Sequence, residues 1–211
     1  MLNIKMKSIT EYIQESFNDI NNEVKVICDL LMSGINYDEF KEVKENTPEQ
    51  FDKYNEQILI QNFNHSKYKA LTTGEYYDLS FNNPNSWNKL SKKDKTLIDA
   101  TYGDIIIVDE NNKPKYFIDL KVSNTSFVGA VSLGSLSNFI DEGIYLCVSS
   151  QSKKYVVVSH KELIEAVKIN PRLIYKKSTI NNRKGFNVKL NGENYNSEDF
   201  VGGKTLEKMY K

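Results

Sequence analysis

Apolar side chains recur at helical spacing in the N-terminal part of the chain. Over residues 8–32 an apolar residue stands at nearly every third or fourth position, which predicts an amphipathic helix. Ser8-x-x-Glu11 is a capping-box signature at its start, and Gly34 stands where such a helix would end. A second helix is predicted over residues 47–63, because a threonine there is followed by proline at the first helical position.

The middle of the chain contains a polar, aromatic-rich segment, then a short helical segment, then a series of strand-like apolar runs. Residues 64–90 are rich in asparagine, serine and aromatic side chains, which predicts a loop with short elements. Ser91-x-x-Asp94 predicts the cap of a short helix that ends near Ala100. The apolar runs that follow are short and bounded by turn residues, as is typical of strands. They predict strands over 103–109, 115–122, 143–149 and 154–158, with a turn, DENNKP, between the first two.

The remaining segments predict helices and an irregular tail. A small-residue segment, 123–129, follows the hairpin, and a helix is predicted over 130–141. Ser159-x-x-Glu162 predicts the cap of a further helix, which ends near Ile169. The tail from residue 172 is basic, and the segment GENYNSEDFVGG that follows shows little pattern. The order of helix, hairpin, helix and strand predicts an α/β fold with a mixed sheet.

The composition is that of one globular domain. With 211 residues and 39% hydrophobic content, the chain is long enough to bury a core, and no repeat or linker divides it. We expect one domain over 1–211, with a helical N-terminal part (1–100), a core (about 100–170) and a basic C-terminal part (171–211). Two cysteines far apart in sequence, no signal peptide and no membrane-spanning run predict a reduced, cytoplasmic protein with no membrane partner.

The net charge of zero conceals an uneven distribution. Residues 1–60 carry six basic and twelve acidic side chains, whereas residues 151–190 carry ten basic and two acidic ones. A basic segment of this size suits a polyanionic partner. A solvated surface that offsets the acidic N-terminal part is an equal alternative, because charge counts alone do not distinguish the two.

The hairpin of residues 102–122 carries the most informative chemistry. Asp104 opens its first strand, and Asp119 and Lys121 lie near the end of its second. Because side chains alternate along a strand, Asp119 and Lys121 face one side and Leu120 faces the other. Charged groups on an apolar strand are costly to bury without partners, and a divalent metal held by both aspartates would supply one.

This arrangement resembles the PD-(D/E)XK nuclease superfamily, whose core is the restriction-endonuclease-like fold. In that family an Asp begins one strand and an acid-x-Lys triplet lies on the next. Here Asp104 and the triplet Asp119-Leu120-Lys121 match, over about a quarter of the chain. Gly103 replaces the usual proline, a minor change in this comparison because the proline provides no ligand. The resemblance implies a central mixed sheet flanked by helices, and Mg²⁺ (or Mn²⁺ in its place) bound by both aspartates and the Leu120 carbonyl. It also implies that Lys121 acts on the attacking water.

The triplet by itself is weakly specific. Three other acid-x-Lys triplets occur in the chain, beginning at Glu23, Glu39 and Glu42. None of these lies on a predicted apolar strand, so the strand context, and not the triplet, carries the inference. The alternative is an ordinary surface hairpin with an Asp–Lys pair on its solvent-exposed side.

Members of the family often draw a further acid from the N-terminal helix. Glu23 lies on the border of the apolar face of that helix, nearest to the core side, and we select it as the supplementary catalytic acid. Glu75 and Asp78 are rival donors. A boundary glutamate paired in solvent is the alternative for Glu23.

Polar and basic residues near the hairpin and beyond it are candidates for contact with DNA. Ser123 and Asn124 follow the triplet directly, where polar side chains can reach phosphates, although a simple polar loop is as good an interpretation. The candidate phosphate contacts are Lys153, Lys154, Lys176, Lys177, Arg183 and Lys184, and a similar cluster consists of Lys92, Lys93 and Lys95.

The resemblance implies a single nuclease domain that hydrolyses phosphodiester bonds of double-stranded DNA with Mg²⁺. We expect a sequence-specific type II restriction endonuclease, acting as a homodimer because a two-fold target mirrors a two-fold protein. A DNA methyltransferase is its expected companion. The alternatives are another nuclease of the same fold (a junction resolvase, a phage or repair nuclease, or a nuclease toxin) and a non-catalytic DNA-binding protein.

Overall fold

The computed structural model describes residues 22–39, 42, 51–123, 127–132, 137–151, 153–161, 164, 175–176 and 184–189. The helices in these ranges are α1 (Asn22–Leu31), α2 (Phe51–Asn62), α3 (Thr73–Ser80), α4 (Ser86–Lys89) and α5 (Lys92–Tyr102). None of these described helices is long and apolar enough to span a bilayer. The strands are β1 (Tyr68–Thr72), β2 (Ile105–Asp109), β3 (Pro114–Ser123), β4 (Phe127–Ser132), β5 (Gly143–Ser149), β6 (Lys154–Ser159), β7 (Tyr175–Lys176) and β8 (Lys184–Lys189).

A mixed sheet of five strands, in the order β1-β2-β3-β5-β6, forms the centre of the fold. The β2–β3 hairpin is antiparallel, β3 and β5 run parallel, and β1 and β6 pair antiparallel at the two edges. A separate sheet of three strands has the order β4-β8-β7. The α/β architecture with a mixed sheet is therefore confirmed.

Most predicted elements near the hairpin are present. Both hairpin strands and the strands predicted over 143–149 and 154–158 appear, with ends shifted by a few residues at most. Ser91 caps α5, because its side chain accepts a hydrogen bond from the Asp94 N–H at 3.2 Å. Helix α1 matches the later part of the helix predicted over 8–32, and α2 matches the later part of the helix predicted over 47–63. Residues 8–21 and 47–50, the first parts of these predicted helices, lie outside the described residues.

One predicted segment is wrong, because a strand needs a distant partner. Residues 127–132, predicted as small-residue segment and helix, form β4, which pairs antiparallel with β8 more than fifty residues later. Residues 64–90, predicted as loop with short elements, contain the short elements β1, α3 and α4, and β1 pairs with β2. Short apolar runs suit a strand or a buried helix equally well, and the non-local pairing decides between them.

The tail and the last predicted helix are only partly described. Residues 160, 161 and 164 are helical, as predicted over 159–169, and the other residues of that segment lie outside the described part. The basic C-terminal part, for which no strand was predicted, contributes β7 and β8.

Helices α1 and α2 cover one face of the central sheet. Ile27, Leu31 and Leu59 from these helices are at most 1% exposed and pack in one cluster with strand residues. The strand members that are fully or nearly fully buried include Ile105, Ile107, Ile118, Leu146 and Val148. Residues of the opposite parity point to the second face, where Tyr102 at the end of α5 stacks near Phe117 with ring centres 5.6 Å apart.

Gly103 joins α5 to β2 in a conformation that other residues avoid. Its φ is +80° and its ψ is −159°, and a Cβ on it would lie 2.6 Å from the Ile118 carbonyl oxygen. Proline, whose φ is held near −65°, could not adopt this backbone. A glycine is therefore a requirement of this connection, and a proline at position 103 would not be compatible with it.

Gly103→Ala should destabilise the protein much more than Gly34→Ala. At Gly103 both the positive φ and the contact with backbone atoms oppose a side chain, so we expect a loss of at least about 3 kcal/mol in the free energy of unfolding. Gly34 also has a positive φ (+74°), but its nearest neighbour is a side-chain carbon 4.0 Å away, so about 1 kcal/mol is expected. Urea unfolding at constant m-value measures both, and equal losses would contradict this account of Gly103.

Candidate functional site

The hairpin register brings Asp104 and Asp119 side by side. Ile105 pairs with Ile118, and the Asp104 N–H donates to the Ile118 carbonyl at 2.8 Å, so Asp104 stands opposite Asp119. The Leu120 N–H donates to Asp104 Oδ2 at 2.7 Å, and Asp119 is close enough for its charge and a side-chain hydrogen bond to raise the pKa of Asp104. The pair predicted from the sequence is thus assembled at the start of β2.

Lys121 forms an ion pair with Asp119. Its Nζ donates to Asp119 Oδ1, and both side chains are largely buried, with exposures of 23% and 10%. Burial lowers the pKa of Lys121, but the charges of Asp119 and Asp104 outweigh it, so this pKa is raised above its ordinary value. In this arrangement Lys121 is a cation and is not ready to accept a proton.

Asp104 is the electrostatically strained member of the group. Burial raises its pKa well above the ordinary value, and the negative charge of Asp119 raises it further, whereas Lys121 acts in the opposite direction. Two carboxyl groups this close favour a shared proton or a bound cation, since both cannot ionise freely. Carboxylate oxygens with room for water are the donor set that Mg²⁺ prefers.

Two further acids lie within electrostatic range of the pair, and neither was selected from the sequence. The charge of Glu56 on α2 raises the pKa of Asp104. Burial raises the pKa of Asp99 on α5 to about 6, and Asp119 adds to this rise against the effect of Lys95. The available signals were weak: Glu56 is one helical turn before the apolar Leu59, and Asp99 is one turn before Gly103.

Glu23, predicted as the supplementary acid, is held elsewhere. Its carboxylate accepts hydrogen bonds from the hydroxyls of Tyr68 at 2.7 Å and Tyr116 at 2.6 Å. The bond from Tyr116, followed by that from Tyr68, lowers the pKa of Glu23. Tyr116 faces the same side of β3 as Ile118, the side opposite to Asp119, so the structure does not bring Glu23 to the aspartate pair.

The two rival acids serve local backbone structure. Glu75 completes a capping box with Thr72 at the start of α3. Asp78 accepts hydrogen bonds from the backbone N–H groups of Asn85 at 3.0 Å and Trp87 at 2.6 Å. Neither side chain is directed to the pair by these contacts.

The candidate DNA contacts are spread over several elements. Ser123 ends β3, next to the triplet, and Lys154 begins β6. Lys153 is exposed, with its Nζ 3.0 Å from Asp38 Oδ2. Lys176 and Lys184 are register partners on β7 and β8. Asn124, Lys177 and Arg183 lie outside the described residues.

A buried aromatic cluster forms one wall of the site. Tyr145 on β5 is the register partner of Asp119 and is fully buried. Its hydroxyl lies 2.9 Å from His160 Nδ1, and the Phe139 ring packs 5.0 Å from the Tyr145 ring. Burial lowers the pKa of His160, which therefore favours the neutral imidazole. This wall keeps water from one side of Asp119.

Within the described part of the chain, the aspartate pair does not belong to a larger group of metal-binding side chains. In the described ranges no three His, Cys, Asp or Glu side chains come together in a group that could hold a metal ion. Two carboxylates, a backbone carbonyl and several waters are nevertheless a sufficient set for Mg²⁺.

Comparisons of the chain with protein-family models, with curated proteins and with solved structures give no match.

Asp104→Asn should change the pH dependence of stability in the absence of metal. The folded-state pKa of Asp104 is raised, so the wild-type protein loses stability as the pH rises from the ordinary value of 3.8 through the raised one. Asparagine cannot ionise, so the variant should be more stable than wild type at about pH 8, with the difference shrinking as the pH falls. Thermal unfolding with a chelator present measures this.

Asp109→Asn, at the other end of β2, is the control with the opposite sign. The Lys113 N–H lowers the pKa of Asp109, so its charge stabilises the folded state above that lowered pKa. This variant should be less stable than wild type at about pH 8, and the difference should close in acid. Parallel pH profiles for both variants and the wild-type protein would refute the charge assignment at Asp104.

Proposed function

We propose that the chain is a Mg²⁺-dependent endonuclease that hydrolyses phosphodiester bonds of double-stranded DNA, built on a restriction-endonuclease-like core. The observation that carries the proposal is the β2–β3 register, which places Asp104 opposite Asp119, together with the ion pair between Lys121 and Asp119. The parallel pairing of β3 with β5 beside the hairpin supports the same fold.

Asp104, Asp119 and the Leu120 carbonyl are the groups that would hold Mg²⁺, with Mn²⁺ as a substitute. Two adjacent carboxyl groups, of which Asp104 has a raised pKa, fit a divalent cation well, because the cation relieves their repulsion. When bound, such an ion polarises a phosphate oxygen and activates a water molecule.

The side chains of the chain itself supply position and charge. Lys121, held as a cation beside Asp119, is suited to stabilise negative charge that develops on the phosphate and to orient the attacking water. The hydrogen bond from Leu120 to Asp104 sets the carboxylate before substrate arrives. Burial of the pair lowers the local dielectric constant and so strengthens both effects.

The proposal extends to the type of nuclease. Sequence-specific type II restriction by a homodimer, with a companion DNA methyltransferase, rests on the family resemblance alone. A junction resolvase, a phage or repair nuclease, or a nuclease toxin would use the same residues. A non-catalytic DNA-binding protein would not need the aspartate pair.

Asp119→Asn and Lys121→Ala should each abolish most DNA cleavage. Each removes a charge that acts on the reacting phosphate or its metal, so we expect losses of at least about 100-fold. Supercoiled plasmid and linear phage DNA, incubated with Mg²⁺ or Mn²⁺ and resolved on gels, provide the measurement. Discrete fragments indicate restriction, and a smear indicates a nonspecific nuclease.

Asp109→Asn is the matched acid-to-amide control on the hairpin and should cut like wild type. Circular dichroism of every variant verifies folding. If wild-type protein cuts no linear, supercoiled, branched or single-stranded DNA with either metal, the nuclease proposal fails. Cleavage of branched DNA alone would favour the junction resolvase.

Glu56→Gln should lower cleavage by about tenfold or more, whereas Glu23→Gln should not. Glu56 acts on Asp104 electrostatically, and groups around a metal site commonly contribute 10–100-fold, about the range we expect. Glu23 is bonded to two tyrosines on the opposite face of β3, so its amide should reduce stability and leave cleavage intact below the unfolding temperature. The reverse result would restore Glu23 as the supplementary acid.

A further inference from the structure

The helices between β1 and β2 form a unit that is attached to the candidate site by hydrogen bonds. Thr73, the first residue of α3, donates its N–H to the Asp104 carbonyl at 3.1 Å and its hydroxyl to the Gly103 carbonyl at 2.6 Å. Helix α5 ends at Tyr102, directly before Gly103. The position of the unit relative to Asp104 is therefore set by the backbone.

The far end of this unit is basic. Residues 86–96 contain four lysines and one aspartate. Lys89, Lys92 and Lys93 are exposed, and none of them forms an ion pair within the described part of the chain. Asp94 is directed to the helix cap, where its carboxylate accepts from the Ser91 hydroxyl at 2.6 Å. We call Lys89, Lys92, Lys93 and Lys95 the α4–α5 lysine surface.

The lysine surface stands on a packed support. The Trp87 ring occupies the space next to Gly74, where a Cβ would lie 2.9 Å from Trp87 Cδ1. The Trp87 ring also packs edge to face against the Tyr77 ring, with ring centres 5.7 Å apart. Lys95, on α5, has its Nζ 5.7 Å from the centre of the Trp87 ring. These contacts join α3, α4 and α5, so they fix the helices that carry the lysines relative to one another.

Geometry relates this surface to the aspartate pair. The eleven residues of α5, at about 1.5 Å each, separate its basic end from Gly103 by about 16 Å. One strand of duplex DNA presents a phosphate about every 3.4 Å along the helix axis, so this distance corresponds to about five nucleotides. A duplex that is cut at Asp104 and Asp119 and runs along α5 would thus have phosphates within reach of the lysines.

We propose, on the basis of the nuclease function proposed above, that the α4–α5 lysine surface binds the phosphate backbone of duplex DNA beside the cleaved bond. The charge of the surface complements a phosphate backbone and repels a second copy of itself, which argues against a symmetric protein interface. Leu97, 55% exposed on the same helix, is the feature that a protein partner would use instead.

Lys92→Glu/Lys93→Glu tests the surface. Acidic residues suit the first turn of a helix, so the double variant should fold as well as wild type. Anisotropy of a labelled duplex of about 30 base pairs, measured in the Asp119→Asn background to keep it intact, reports binding. We expect at least about tenfold weaker binding and a salt-dependence slope smaller by about two.

Lys67→Glu/Lys69→Glu is the matched control, with the same charge change. Both lysines are exposed and lie at the opposite end of the sheet, where Lys69 pairs with Val108 on β2. This variant should bind the duplex like its parent. Equal losses in both variants, or no loss in Lys92→Glu/Lys93→Glu, would overturn the surface, as would failure of the parent to bind any duplex.

Light scattering and the plasmid assay separate the remaining cases. A lower molar mass for Lys92→Glu/Lys93→Glu, with DNA binding intact, would overturn the proposal and assign the surface to a second copy of the chain. Cleavage by wild type combined with unchanged binding by the variant overturns the surface alone. Weakened binding by the variant without any cleavage by wild type supports the surface and refutes the nuclease.

Discussion

The candidate site depends on the contact between two carboxyl groups that repel each other when both are charged. Asp104 and Asp119 are brought together because the β2–β3 register places them opposite one another and Leu120 N–H holds Asp104 at 2.7 Å. This arrangement exists only because Gly103 allows α5 to turn directly into β2 over the Ile118 carbonyl. Backbone hydrogen bonds and core burial therefore hold two carboxyl groups close together although their negative charges repel each other.

The surrounding charges reduce the repulsion between Asp104 and Asp119 without removing it. Lys121 neutralises Asp119, whereas Glu56 and Asp99 add negative charge from two different helices. The apolar wall around Tyr145 excludes water, so these charges interact more strongly than they would at the surface. The site therefore holds more carboxylates than cations, and water is partly excluded from it. We expect such a site to bind a cation, or a polyanion through a bridging cation.

The prediction from sequence succeeded where a pattern is local. The hairpin, the cap at Ser91 and the positions of Asp104, Asp119 and Lys121 follow from turn residues, alternation and neighbouring strands. It left β1 unspecified and failed at β4, because the partners of both strands lie elsewhere in the chain. It also selected Glu23 from the border of an apolar face. That border touches the sheet on the side of Tyr116, and a helical pattern cannot indicate which face of a sheet it will cover.

The sequence by itself determined that an acid, a second acid and a lysine lie on adjacent strands, because hairpin register and strand alternation act over a few residues. Only the tertiary structure decided what joins them. Helix docking brings Glu56 and Asp99 towards the pair, directs Glu23 to two tyrosines, and carries the lysines of α4 and α5 on a support fixed to Asp104. These are contacts between residues far apart in the chain, and they depend on how whole elements pack rather than on any local pattern.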